Sequence, residues 1–327
     1  MTPSPEPSPP RRVLMLGGTG TIGRATVAAL LARGHAVVCL VRPGSEGRLP
    51  PGAEARPVDL TDPVALRRDG IRGEAFEALV SCLASRTGAP ADAWAIEHRA
   101  QSRALAAARE AGVTQVVLLS AICVQKPLLE FQRAKLAFEE ELMASGLDWS
   151  IVRPTAFFKS LSGQLERVRA GRPFLIFGDG RLTACKPISD ADLATYLADC
   201  LDAPDRRNRI LPIGGPGPAI TPREQGGWLF ELTGQPPRFR RVPVAMLDVI
   251  IAVLSVLGRV SPRLRDKAEF ARIGRYYATE SMLVLDPATG RYDAEATPST
   301  GGETLRDHYA RMLRGEVADD RGAHAVF

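Results

Sequence analysis

Three glycines spaced three apart, Gly17, Gly20 and Gly23 in the run GGTGTIG, carry the first chemistry legible in the chain. They follow a short apolar run and open a helical pattern. In that setting glycines let the backbone approach a pyrophosphate, and the helix start offers unpaired N–H groups and the positive end of its dipole. Thr19, Thr21 and Ile22 complete the turn as expected cofactor contacts. A second set of residues could move protons. Lys135 lies in EFQRAKLAFEEEL, and the position four before it is Phe131, which has no proton to give. Tyr276 and Tyr277 in GRYYATES are the other candidates, with water as an alternative and core packing as the plain reading of both phenols.

The elements needed to hold these residues are also legible. Residues 13–16 read as a buried parallel strand, 24–33 as a helix stopped by Gly34, and 37–41 as a second strand, which makes one βαβ unit. A third strand ends near Asp59 and a fourth lies in FEALVSCLAS. A helix over 97–111 is closed by Gly112, and a fifth strand spans 115–122. The Lys135 helix ends near Gly146, and a sixth strand lies in DWSIVRPTAFF. This alternation predicts an α/β fold of the Rossmann type, with a doubly wound parallel sheet. Further on, Ser189 with Asp192 starts a helix, stapled by Ile188 and Leu193. Thr221, Pro222, Glu224 and Gly234 bound another, and ILPIGG reads as a strand. The expected organisation is a disordered tail over 1–10, an NADP-binding domain over 11–156 and a smaller α/β substrate-binding region over 157–327.

The end of the second strand selects the cofactor. An enzyme using NAD places an acid there for the ribose hydroxyls, whereas this strand ends CLVRP. Arg42 suits a 2′-phosphate, with Arg24 nearby, so NADPH is expected. Asp59 is placed to accept from the adenine amino group, beside Leu60. Cys82 and Leu83, within 81–85, would line the cofactor along the fourth strand.

The net charge of +5 is spread without a basic and aromatic block, which argues against nucleic acid. The five cysteines form no CxxC and no metal spacing, so reduced, mostly buried thiols and no metal site are expected. The N-terminal run MTPSPEPSPP has no apolar core, so it does not read as a secretory signal. The run VPVAMLDVIIAVLSVLG carries Asp248 and is too short for a span of ~20 apolar residues. A buried helix is expected, with a helix resting on a membrane or on a greasy substrate as the alternative.

With these residues in place, the first half of the chain resembles the atypical short-chain dehydrogenase/reductases of the extended, NmrA-like kind. That resemblance implies a strand-end hydroxyl, here Ser120, and a lysine that binds the nicotinamide ribose, here Lys135. It also implies a loop packed on the nicotinamide, here RPTAFF with Pro154, Thr155 and Phe157. Longer strings, among them VSCLASRTGAPADAWAIEHRA, LLSAICVQKPLLEFQRAKLAFE and GRYYATESMLVLDPATGRYDAEATPSTG, resemble the divinyl chlorophyllide 8-vinyl reductases over nearly all of the chain after the tail. This implies NADPH-dependent reduction of the 8-vinyl group of a magnesium tetrapyrrole, a divinyl chlorophyllide or protochlorophyllide, in chlorophyll or bacteriochlorophyll synthesis. Plant members carry a transit peptide and this chain shows none comparable. The expected setting is a photosynthetic bacterium, in the cytoplasm or at the periphery of its photosynthetic membranes.

The resemblance accounts for Phe131. In dehydrogenases acting on alcohols and ketones, a tyrosine exchanges a proton with the substrate oxygen. A vinyl group has no such oxygen and needs its proton at carbon, while Phe131 offers a flat apolar face. Trp94, Phe158 and Ile122 join Phe131 as candidate substrate contacts, and Phe157, Phe174 and Phe177 are further stacking faces, although core packing is the plainer reading of each aromatic. Lys126, Lys159 and Lys186 could reach the substrate carboxylate, and His98 the substrate magnesium. Two rival readings stand beside this one: a non-catalytic NADP(H)-binding sensor or assembly factor, kept alive by Phe131, and a reductase of another alkene or a quinone. The oligomeric state is left open.

Overall fold

The computed structural model describes residues 9–317. The expected tail at residues 1–8, and residues 318–327 of the C-terminal region, lie outside the described residues.

A seven-stranded sheet forms the body of the protein. Its strands are β1 (Arg12–Leu16), β2 (Ala36–Val41), β3 (Glu54–Pro57), β4 (Ala78–Ser81), β5 (Gln115–Leu119), β6 (Asp148–Pro154) and, after the short β7 (Phe174–Phe177), β8 (Arg209–Ile213). The order is β3-β2-β1-β4-β5-β6-β8, and every neighbouring pair is parallel. Both faces are covered. Val13 and Met15 of β1 enter one core with Val27, Leu30, Leu193 and Leu197. The alternate residues Leu14 and Leu16 enter the other with Leu105, Phe138 and Leu142. The strand order reverses between β1 and β4, and at such a switch point a doubly wound sheet opens its ligand crevice. The glycine run leaves β1 at this point.

Two features of the second half differ from the sequence reading. ILPIGG, expected in the smaller region, is β8 and pairs with β6 from Ser150↔Arg209 to Pro154↔Ile213. The helix Asp190–Asp199 likewise packs into the first sheet core, so residue 157 is not a clean boundary. The remainder of the C-terminal region has its own core around Phe158, Leu165, Phe174, Leu229, Phe230 and Tyr309, with β7 paired to β9 (Phe239–Val242). The cap signals are realised as read. Ser189 Oγ accepts from Asp192 N at 3.0 Å, Thr221 and Glu224 bond reciprocally, and Gly234 takes φ +66°.

The run over 242–258 corrects a further expectation. Its helix, Val244–Leu257, contains no buried residue and packs chiefly along the next helix, Pro262–Thr279. No helix among the described residues is long and apolar enough to cross a membrane. The helix expected over 97–111 begins earlier, at Pro90, and runs as a π-helix from Trp94 to Ala100 before continuing α-helical to Glu110. Such widened turns are common at functional sites, because they re-aim side chains.

Candidate active site

The glycine turn fits a dinucleotide on its own geometry. Gly17 has φ +73°, and a Cβ there would lie 2.5 Å from the Cys82 carbonyl oxygen. A Cβ on Gly23 would lie 2.0 Å from the Gly17 carbonyl oxygen. No other residue permits the helix to start this close to the ends of β1 and β4. The helix Thr21–Ala32 has no side-chain cap at Gly20 and no acid in its first turn. Its leading N–H groups are thus left for an anion. Lys159 Nζ donates to Thr21 Oγ1, and Arg24 Nη1 donates to Thr19 O at 3.3 Å. These cations border a cleft of about 300 Å³ that also takes in Ser189, Asp190 and Arg311. Arg42 stands exposed just past β2. Asp59 is exposed past β3 and accepts from Thr61 N and Oγ1 at 2.8 and 2.7 Å, bonds that hold its carboxyl below the ordinary range. Leu60 and Leu83 border the second core. Cys82 Sγ lies 3.7 Å from Thr26 Oγ1, and burial pushes its thiol up to about 12.

Lys135 is held by a residue that was not among the candidates. Its Nζ donates to Glu97 Oε2 at 2.8 Å, with both side chains buried. The other Glu97 oxygen accepts from Ser85 N and Oγ at 2.8 and 2.9 Å. Burial raises the thiols of Cys82 and Cys123, and the Lys135 charge opposes that rise on both. Glu97 could have been found from its periodicity. Ala93, Glu97, Ala100 and Ala104 form one buried stripe, and an acid on such a stripe needs a buried partner. Glu139 follows the same logic one turn beyond Lys135. It is fully buried, pairs with Arg153, and accepts the Ser120 hydroxyl. Ser120 is therefore already committed within the protein.

The two tyrosines reach the same place from the Pro262–Thr279 helix but differ. Tyr276 is buried, and its hydroxyl donates to the Cys123 carbonyl at 2.8 Å, which braces the loop after β5. Tyr277 is 36% exposed, yet its hydroxyl points inward to Cys123 Sγ at 3.9 Å and lies in the field of Glu97. Desolvation raises both phenols, so each keeps its proton at neutral pH. Phe131 is half-buried and shares this cluster with Ile273 and Met282. Gln132 ties the start of its helix to the same loop, accepting from Leu129 N at 2.9 Å and donating to Cys123 O at 3.1 Å.

Other expected contacts are placed elsewhere. Phe158 is core, its ring against His308 at 5.1 Å, and Ile122 and Phe174 are also fully buried, so none of them presents a free face. Trp94 Nε1 donates to Glu130 at 3.0 Å, beside Phe131, and Phe157 and Phe177 are half-buried. Pro154 ends β6, and the Thr155 hydroxyl donates to Lys186 O. Of the lysines expected to reach a carboxylate, Lys126 pairs with Glu280 at 2.8 Å, Lys186 donates to Thr297 O at 2.8 Å, and Lys159 faces the glycine turn. His98 lies on the helix surface, 3.6 Å from Glu141.

The turn and sheet define a nicotinamide dinucleotide-binding protein, and the sequence model of the NAD(P)H-binding family matches residues 17–204. The fold is shared with the NADPH-dependent quinone oxidoreductase QOR2 of Escherichia coli, at a TM-score of 0.67 and 17% identity over 92% of this chain and 99% of that one. The chain is 52% identical to the divinyl chlorophyllide a 8-vinyl-reductase of rice, over 96% of its own length and 82% of the relative's. It is 47% identical to that of Arabidopsis thaliana, over 94% and 78%. It belongs to this family of reductases.

Proposed function

We propose that this chain reduces the 8-vinyl group of a 3,8-divinyl chlorophyllide or protochlorophyllide to ethyl, with NADPH as reductant. The observation that carries the proposal is the identity of 47–52% to named 8-vinyl reductases across nearly all of the chain. The absence of a proton donor at Phe131 fits a reaction with no substrate oxygen.

Bound at the glycine turn, NADPH supplies a hydride to the vinyl carbon chain. The protein's part is to hold the partners and deliver a proton to carbon. The helix start and Lys159 hold the pyrophosphate, and Arg42 holds the 2′-phosphate. Lys135, fixed by Glu97, holds the nicotinamide ribose. Phe131 and Trp94 give the macrocycle an apolar side. Tyr277 is the proton donor, because its hydroxyl has no backbone acceptor to satisfy, whereas Tyr276 is spent on Cys123 O.

The test is an absorption and chromatography assay of the purified protein with NADPH and 3,8-divinyl chlorophyllide a. A blue-shifted Soret band and a monovinyl product are expected. Saturable NADPH binding with no product would instead favour the sensor reading or a different alkene.

A further inference from the structure

The Val244–Leu257 helix leaves an apolar stripe uncovered. Met246, Val249, Val253 and Val256 recur at steps of three and four residues, exposed Leu257 and Val260 extend the run at and past the helix end, and Val249, Val253 and Val256 are each more than half exposed. Phe270 on the following helix is 49% exposed and extends the greasy surface. An uncovered run of this kind marks an interaction face.

Charge decides what the face meets. Exposed Arg238, Arg240 and Arg241 precede the helix, and exposed Arg259, Arg263 and Lys267 follow it. The acids of the hairpin do not balance them. Asp248 is tied to Arg275, Glu269 is buried against Arg272, and Asp266 alone is left exposed without such a pair. A second copy of this chain would bring the same cations together, and like charges would oppose that contact. An anionic lipid surface complements both the cations and the stripe. At 14 residues the helix is about 21 Å long, too short to span the hydrocarbon and suited to lying along it.

We infer that this helical hairpin docks the protein peripherally on an anionic membrane. The hairpin's second helix carries Ile273 and Tyr276 into the apolar cluster with Phe131 and Cys123, and Tyr277 onto Cys123 Sγ, so the lipid-facing surface and the site share one element. On the reading of the function given above, a tetrapyrrole dissolved in the membrane would enter along that element; lipid binding itself stands without that reading.

The test is co-sedimentation of the full chain with vesicles of phosphatidylcholine alone and of phosphatidylcholine with phosphatidylglycerol at about 3:1. Wild type is expected to bind the anionic vesicles, more weakly at high salt and hardly to the neutral ones. The double substitution Val249→Glu, Val253→Glu should cut binding about tenfold or more. It should leave the circular dichroism, NADPH binding and turnover of detergent-dispersed substrate unchanged. Failure of wild type to bind either vesicle overturns the inference, as does equal binding by the variant. Sedimentation showing a dimer that the substitutions dissolve would assign the face to self-association and overturn it too. A wild type that binds vesicles but turns over no divinyl chlorophyllide would sink the enzymatic reading and leave this one standing.

Discussion

Lys135 Nζ lies 2.8 Å from Glu97 Oε2 inside the protein, joining the Glu130–Met143 helix to the π-helical turn over 94–100. Removing one partner of a buried pair strands the other charge, at a cost of about 3–5 kcal/mol. Glu97→Gln should therefore lower the melting temperature by roughly 5–10 °C and depress turnover. Replacing both, as Glu97→Gln with Lys135→Met, should recover most of the stability and none of the activity. Thermal melts and turnover assays on the two variants and wild type decide it. Equal melting of Glu97→Gln and wild type would show that the pair is not a structural unit.

Arg42 is exposed where the second strand ends, at the position an NAD enzyme gives to an acid. A hydrogen bond to a charged group contributes about 1.5–3 kcal/mol. Arg42→Ala should raise the KM for NADPH by roughly ten- to a hundredfold and leave NADH almost unaffected. Steady-state kinetics with both cofactors read this directly, and a parallel change for the two would remove Arg42 from the phosphate site.

What the sequence disclosed follows from where local signals are strong. The six strands before residue 157, the glycine turn and the caps at Ser189 and Thr221 depend on short-range patterns, and they stand where the patterns put them. Residue type marked the tyrosines as proton-donor candidates and family resemblance marked Lys135, and the loop after β5 carries the contacts of both tyrosines, Tyr276 to Cys123 O and Tyr277 to Cys123 Sγ. Two kinds of feature were hidden. β8 joins the sheet across more than 50 residues, a pairing no local pattern encodes. The 242–258 helix was misread because apolar composition signals burial in most proteins, and here the apolar side is outside. Ser120 and Thr155 have the right residue types, but their hydroxyls are taken by Glu139 and Lys186, and partners that distant in sequence are not visible along the chain.

Burial pushes the thiols of Cys39 and Cys82 up to about 12 and that of Cys200 up to about 11. In the unfolded chain they ionise near 9, so above that pH the unfolded state binds fewer protons than the folded one. The stability they contribute is complete at neutral pH and lost as pH rises from about 9 toward 12, at ~1.4 kcal/mol per pH unit for each thiol. Urea denaturation at pH 7.5, 9 and 10 should show this fall, and Cys39→Ala should reduce its slope. A flat profile would mean that the thiols are not desolvated.

Phe131 occupies the place where a tyrosine would serve an oxygen, and it packs in an apolar cluster with Ile273. Installing a hydroxyl offers a proton the reaction does not call for there. Phe131→Tyr should leave kcat unchanged or lower it by about twofold, since the gain from a positioned acid, typically 10²–10⁴-fold, is not available. A rise in turnover on divinyl chlorophyllide would overturn the account of why the tyrosine is missing.

Tyr276 and Tyr277 are adjacent in sequence and opposed in role, so their phenylalanine variants should separate. Tyr276→Phe removes a buried donor from the Cys123 carbonyl, at a cost of about 1 kcal/mol or somewhat more. Its kcat should stay within about twofold of wild type. Tyr277→Phe loses only a weak contact with a thiol and should melt like wild type. As the proton donor, it should lose about a hundredfold in kcat with little change in the KM for NADPH. The raised Tyr277 phenol adds a sign to the pH profile: the protonated form is the active one, so kcat should be level through neutral pH and fall only in alkali. A hundredfold loss in Tyr276→Phe with a silent Tyr277→Phe would reverse the assignment. Silence in both would leave Lys135 or water to supply the proton, and kcat in deuterated solvent for the Lys135→Met variant would then tell those two apart.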